Sequence, residues 1–486
     1  MRLLLCIFLH LVGVIQAAPT TNTTTTTIDS FQAPSFTTRT MWIIVSSSVL
    51  TLFACIYSAI HPNIPSPKDS PNRILRRRIG IMIMALIAPE LIVIWAMRQW
   101  FSARSVTRRF KESGYPSVRP EQEQSEKKES VEAPEQHGNR FLRFLHFLRL
   151  LPVVLVKGVL SVPVFIWHFL GHLVRWVKAH FSEQSEDHAW TQTHSFFVLM
   201  GGFMLYLDGE PYCTLRPDYI LTLIRKEYID APTLTAKQIH DKNKGNAISK
   251  GLIMLQVAWF VMQLITRAIY HLETTQLEVG TLAFAVLNFL TYTVWWNKPL
   301  NVQCPHPVYW KSTESRPEDH IDVPNERNEN LGLWILTPVE SILELIGSPG
   351  IPTSRKLQVP TFDGSIKLED SDKRVLPLAA LLMATIFGGI HCMAWFFAFL
   401  TYQEQVLWRA SAVAITFTPW LCFLVHLSPN SATVVMGLVY GLIYLVSVIL
   451  YITARAALLV LMFTTLRNLP PDAYKAVSWT SLVPHL

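Results

Sequence analysis

The sequence predicts an all-α polytopic membrane protein: a helical bundle of about 6–8 spans with two sizeable cytosolic loops that contain short helices and a small β-hairpin. Three observations predict it. Hydrophobic residues make up 50% of the 486 positions and charged residues 16%, and mean hydropathy is +0.28, a balance that points away from a soluble globular chain. Apolar runs recur near the length of about 20 residues that a helix needs to cross a ~30 Å hydrocarbon core. The net charge of +7 lies between these runs, where it sets orientation in the bilayer and attracts anionic headgroups. No nucleic-acid-binding motif accompanies it, so the lipid bilayer is the expected partner and nucleic acid is not.

Residues 1–17 carry Arg2, an apolar run and small residues at Ala17 and Ala18, the pattern of a secretory signal peptide. The Thr-rich segment 18–40 contains Asn22-Thr23-Thr24, the one N-x-[ST] acceptor of the chain. A lumenal, glycosylated and disordered tail is expected there. The unit 41–100 holds a first span, a stop at Pro62, Pro65 and Pro67 with a basic cluster from Arg73 to Arg78, and a second apolar run interrupted by Pro89-Glu90. Arginines flank that second run on both sides, so it either crosses against the charge rule or dips in and turns back at the proline. Glu90 in its middle is a functional candidate or a carboxyl satisfied by a neighbouring helix.

Residues 101–139 read as a disordered linker, rich in Glu, Gln, Ser and Lys. In 140–181 basic residues recur at helical spacing on an apolar background, as in a helix lying among headgroups. His168 and His172 share a face there, but one such pair without further histidine boxes does not make a metal centre. Segment 182–250 reads as a small α+β module. Its β-hairpin runs from Phe203 through Asp208-Gly209, and Thr235 opens a capping box. Residues 245–251 lack the Gly-Lys-[Ser/Thr] ending of a phosphate loop, so no nucleotide is expected.

The stretch 251–296 reads as a transmembrane hairpin with a connector free of Lys and Arg. Gln256, Gln263 and Arg267 form a polar stripe on its first helix, and Asn288 lies on a stripe of the second. Facing stripes act as hydrogen-bond glue or line a polar path. Trp295-Trp296 reads as an interfacial anchor before Lys298. The loop 297–375 contains an amphipathic helix begun at Thr337-Pro338. Three spans follow in 376–464, with His391 and Arg455 as buried ionisable candidates. Gly437 and Gly441 present a small-residue face that a second copy or a membrane partner fits. A C-terminal tail occupies 465–486.

Four strings carry a family resemblance: His61-Pro62-Asn63-Ile64-Pro65, Ala88-Pro89-Glu90-Leu91, Trp295 through Val302 (WWNKPLNV), and Leu469 through Tyr474 (LPPDAY), together with Trp479 and Pro484-His485. The chain resembles a large group of uncharacterised fungal multi-pass membrane proteins over most of its length. That resemblance implies a membrane fold and no catalytic residues.

Cys6, Cys55, Cys392 and Cys422 fall in apolar runs, Cys213 and Cys304 lie in loops, and no C-x-x-C pair exists, so neither zinc nor a disulfide framework is indicated. With no nucleophile elbow and no cofactor motif, no catalytic residue is assigned and no cofactor is expected. Non-enzymatic handling or sensing of a solute or lipid through the bundle is the leading expectation. A membrane enzyme acting on a lipid and a scaffold recruiting partners through its cytosolic loops are the alternatives. The basic-free connector places the short links in the lumen and the large loops in the cytosol.

Overall fold

The computed structural model describes residues 36–116, 190–243, 247–311, 357–366, 368–427 and 434–477. The signal peptide, Asn22, most of the linker, segment 140–181 with His168 and His172, and the helix begun at Thr337 lie outside the described residues.

Strand β1 (Phe36–Thr38) leads into α1 (Met41–Ala59), whose N-cap Thr40 accepts from the backbone of Ile43. Helix α2 (Pro71–Ile87) starts at Ser70 with proline in its first turn. Ala88 then breaks the chain before α3 (Pro89–Glu112), and the two axes bend by 114°. Proline supplies no N–H and disfavours helical backbone at the residue before it, so the break falls where the sequence places it. Helix α3 runs on to Glu112, correcting the linker boundary at 101. Arg109 pairs with Asp218 at 2.8 Å and Arg108 with Glu369, so residues 101–112 are an anchored helix.

After α4 (Gln192–Leu199), β2 (Phe203–Leu207) and β3 (Glu210–Thr214) form the expected hairpin. Asp208 and Gly209 both take positive φ, 49° and 85°, as a two-residue turn with matching twist requires. Helices α5 (Pro217–Arg225) and α6 (Ala236–Lys242) complete the module. Sequence periodicity did not reveal its third strand: β4 (His306–Tyr309) comes from the next loop and pairs parallel to β2.

Helices α7 (Ala247–Ile269) and α8 (Gln276–Val294) are the two arms of the hairpin, joined by a capping box between Thr275 and Glu278. Their pairing differs from the expectation. Helix α1 packs against both arms, and the described apolar portion of α7, Leu255–Ile269, is shorter than a span. Then come α9 (Asp370–Cys392), extended by a 3-10 turn to Phe396, α10 (Tyr402–Leu427), α11 (Val434–Thr464) and β5 (Lys475–Val477).

The described chain is mostly helical, and α1, α8, α9, α10 and α11 are long and apolar enough to cross a membrane. Their outward faces carry large apolar side chains such as Phe53, Phe417 and Leu442, the last two each 61% exposed.

Contacts divide the helix ends into two groups. At one end β1 pairs antiparallel with β5, Arg467 pairs with Glu404 at the start of α10, and Gln276 donates to Ala398 O. At the opposite end Arg77 reaches Gln358, Arg78 reaches Asn301, and the far limb of α3 meets residues 298 and 363. Both limbs of the α2–α3 bend therefore return to the same end, with the bend itself lying between the helices.

Candidate functional site: a charged centre at the helix break

The bend at Ala88 exposes two helix termini of opposite polarity inside the bundle. The end of α2 has carbonyl oxygens without intrahelical partners, and the start of α3 has N–H groups in the same condition. Arg455 on α11 answers the first: its Nε donates to Ile87 O at 2.8 Å and its Nη2 to Leu86 O at 2.9 Å. Glu90, in the first turn of α3, answers the second with a carboxyl group at a positive dipole end. The hydroxyl of Tyr451, one turn before Arg455, donates to Glu90 Oε1.

Aromatic rings shield this cluster. The Arg455 guanidinium lies 4.1 Å from the Phe387 ring centre and 5.2 Å from that of Phe284, so cation–π attraction offsets part of its desolvation. His391 on α9 lies tilted beside Phe387, with ring centres 4.7 Å apart. Its Nδ1 lies 2.9 Å from Phe387 O. A carbonyl only accepts, so Nδ1 carries the proton and Nε2 of the neutral ring is a bare lone pair. Glu90, His391 and Arg455 are 6%, 0% and 1% exposed.

Two further polar nodes hold the bundle ends. At one, Lys298 is 2% exposed and its Nζ donates to His61 O at 2.6 Å, Gln99 Oε1 at 2.8 Å and Asn63 Oδ1 at 3.4 Å. It also sits 4.5 Å from the ring centre of Trp295 and 5.0 Å from that of Trp95, two indoles packed edge to face. Burial pushes the Lys298 ammonium well below its usual range, while three oxygen acceptors and two indole faces stabilise its charge. Gln99 passes the network on through Nε2 to Asp363 O at 2.6 Å. The following Gly364 has φ +95°, and a Cβ there would lie 2.9 Å from Leu199 O.

At the other end Arg39 makes a two-pronged pair with Glu278, at 2.6 and 3.2 Å, and donates to Ala473 O at 2.7 Å. Arg267 donates to Lys475 O at 2.6 Å, to Asp472 O and Ala473 O, and to Glu273 O.

The structure thus brings together Glu90, His391 and Arg455 among the sequence candidates and disperses the rest. Arg267 binds backbone of the tail instead of a facing stripe. Gln256 donates to Thr51 of α1 at 3.1 Å. Asn288 turns back to Phe284 O of its own helix at 2.8 Å, beside a pocket of about 30 Å³ lined by Cys55, Ile253, Val257 and Tyr292. Gln263 is half-buried and joins none of the three nodes. Trp295 is fully buried, so only Trp296 of that pair is outward-facing. Gly441 has open space around it. Sequence reasoning missed Tyr451, Lys298, Gln99 and the Arg39–Glu278 pair. The strings HPNIP, APEL, WWNKPLNV and LPPDAY nevertheless each contribute to a node, which was the available signal. Among the described residues no group of three or more His, Cys, Asp or Glu is placed to hold a metal ion.

No curated protein and no solved structure matches the chain. A family model does, over residues 4–139 and 173–318, which cover more than half of the sequence and include HPNIP, APEL and WWNKPLNV. The chain therefore belongs to a family of unknown function, DUF8562.

Proposed function

We propose that this protein is an integral membrane protein of the secretory pathway, with a lumenal N-terminus, that passes or senses a small solute or lipid through its helix bundle without catalysing a reaction on it. The observation that carries this reading is the Glu90–Tyr451–Arg455 cluster at the α2–α3 break, buried among apolar helices. Each charged group there costs about 2.5–3.5 kcal/mol on membrane-insertion scales. The break sets two helix ends and ionisable side chains facing one another inside the bundle, the arrangement that binding or relay of a solute uses.

Orientation supports the same picture. With β1, the α7–α8 connector and β5 at one end, a lumenal N-terminus puts that connector and the tail in the lumen and both large loops in the cytosol, and the α2–α3 pair becomes a dip from the cytosolic side. The basic-free connector and the arginines around α2 agree with it.

The test uses the purified protein in liposomes, comparing Glu90→Gln and Arg455→Gln with wild type in a panel of solute-flux and lipid-binding assays. Loss of flux or binding in both variants supports the reading. Unchanged flux and binding would end it. Glycosylation acceptors placed in 101–139 and at 270–275 check the threading, with glycan expected only at the second site.

A further inference from the structure

The polar centre at the break is incompletely paired. Glu90 Oε2, Arg455 Nη1 and His391 Nε2 are all buried and meet no hydrogen-bond partner among the described residues. A buried polar atom left unpaired is costly, more so when it is charged, so these three atoms mark places where something hydrogen-bonds to them. Arg455 is the link between the other two: it lies over the Phe387 ring, which contacts His391, and it interacts electrostatically with both His391 and Glu90.

The donor and acceptor character of the three atoms restricts what fits. Arg455 Nη1 only donates. In the neutral ring His391 Nε2 is a lone pair, because the one ring proton is on Nδ1 and is used on Phe387 O. Glu90 Oε2 accepts when ionised, and carries the proton when neutral, since Oε1 is occupied by the Tyr451 hydroxyl. Water has the matching set: O–H groups for Glu90 and His391 and a lone pair for Arg455. Buried waters make about three such bonds. An anion would face Glu90, and a metal cation would face Arg455.

We infer that the helix break holds bridging water and is a proton-binding site, in which Glu90 and His391 exchange a proton through that water while Arg455 and Tyr451 hold the carboxylate in place. In the transfer, the Glu90 Oε2–H bond breaks as its proton joins the water oxygen, and a different water O–H bond breaks as that proton joins His391 Nε2. Carboxylic acid and imidazole become carboxylate and imidazolium, water is regenerated, and total charge is conserved. The ionisable groups facing the site are Glu90 from α3, His391 from α9, and Tyr451 and Arg455 from α11. Helix α8 contributes the uncharged Phe284. The inference rests on the break being the working centre of the bundle, and it names the proton as the species handled there.

The experiment is pH-difference infrared spectroscopy of the purified full chain in H2-16O and H2-18O, on wild type, Glu90→Gln and His391→Gln, with no solute added. Wild type is expected to show a titrating carboxylic-acid band that disappears in Glu90→Gln, and an isotope-sensitive water O–H band that titrates with it. His391→Gln is expected to shift the midpoint of the Glu90 band by about one pH unit, the mark of coupled titration, and to remove the water band. A wild-type spectrum without an isotope-sensitive water band tied to Glu90 overturns the inference, and needs no variant to fold. So does an unmoved midpoint in a His391→Gln protein of wild-type melting temperature. Because no flux is measured, the wild-type bands together with unaltered flux in Glu90→Gln liposomes would refute the transport reading and leave the proton site standing.

Discussion

The Nε of Arg455 donates to the carbonyl oxygen of Ile87 at 2.8 Å across 368 positions of sequence, so the end of one half-helix is completed by a side chain from the last long helix. Removing that side chain strands two carbonyls inside the bundle. Arg455→Met is expected to destabilise by about 1–3 kcal/mol per stranded group, read as a lower melting temperature in detergent. Arg455→Lys keeps the charge but not the two-carbonyl geometry, and should recover only part of the loss.

Lys298 holds HPNIP, α3 and WWNKPLNV together through oxygens that belong to no carboxylate. Replacing it with Met leaves those acceptors buried and unpaired. A loss of about 3 kcal/mol is expected, with a change in tryptophan fluorescence because Trp95 and Trp295 lose the cation between them. Equal stability of Lys298→Met and wild type would show that the node is not a fastening.

The Arg39–Glu278 pair is buried on both sides, 9% and 3% exposed. Arg39→Met and Glu278→Gln are each expected to cost about 3–5 kcal/mol, because each leaves a partner buried without compensation. The double variant should lose much less than the sum. Chemical denaturation of all four proteins measures the coupling.

His194 supplies the pH dependence. Its Nε2 lies 2.7 Å from Leu234 O, and Nδ1 accepts from Thr191 N at 3.1 Å. Both ring positions are thus spent in the neutral form, and burial is the first cause of a pKa below the ordinary histidine value, with the Leu234 bond acting weakly the other way. The unfolded chain then binds the extra proton first, so stability is full above about pH 6.5 and declines as pH falls through the ordinary value toward the depressed one. Melting temperatures from pH 7.5 to 5 should fall less steeply in His194→Gln, with the difference confined to that window.

What could be read from the sequence depended on whether a residue's meaning was local. Pro89-Glu90 inside an apolar run announces both a broken helix and an awkward charge, and His391 and Arg455 stand out for the same reason. The turn at Asp208-Gly209 is equally local. Lys298 reads as one more interfacial lysine, because the indoles and oxygens that bury it come from Trp95, Gln99 and Asn63, the last 235 positions away. Strand β4 was hidden because a parallel partner in another loop leaves no hairpin signal. Arg267 was noticed, but its partners are backbone carbonyls of the tail, whose position no side-chain pattern encodes. The polar stripe of α8 is satisfied locally: Thr281 and Asn288 each bond the carbonyl four residues back on their own helix.

Strand β1 pairs with β5 across a separation of 439 residues, as in the Thr37–Ala476 contact. During synthesis the earlier strand emerges long before its partner exists, and Arg39, even once paired with Glu278, must wait for the Ala473 carbonyl that its Nε bonds. Contacts of such long range are late and slow to form. The bundle is therefore clasped last: every long helix has to be in place before the clasp closes, and a protein arrested a few residues before 475 would hold all its long helices and still lie open at one end.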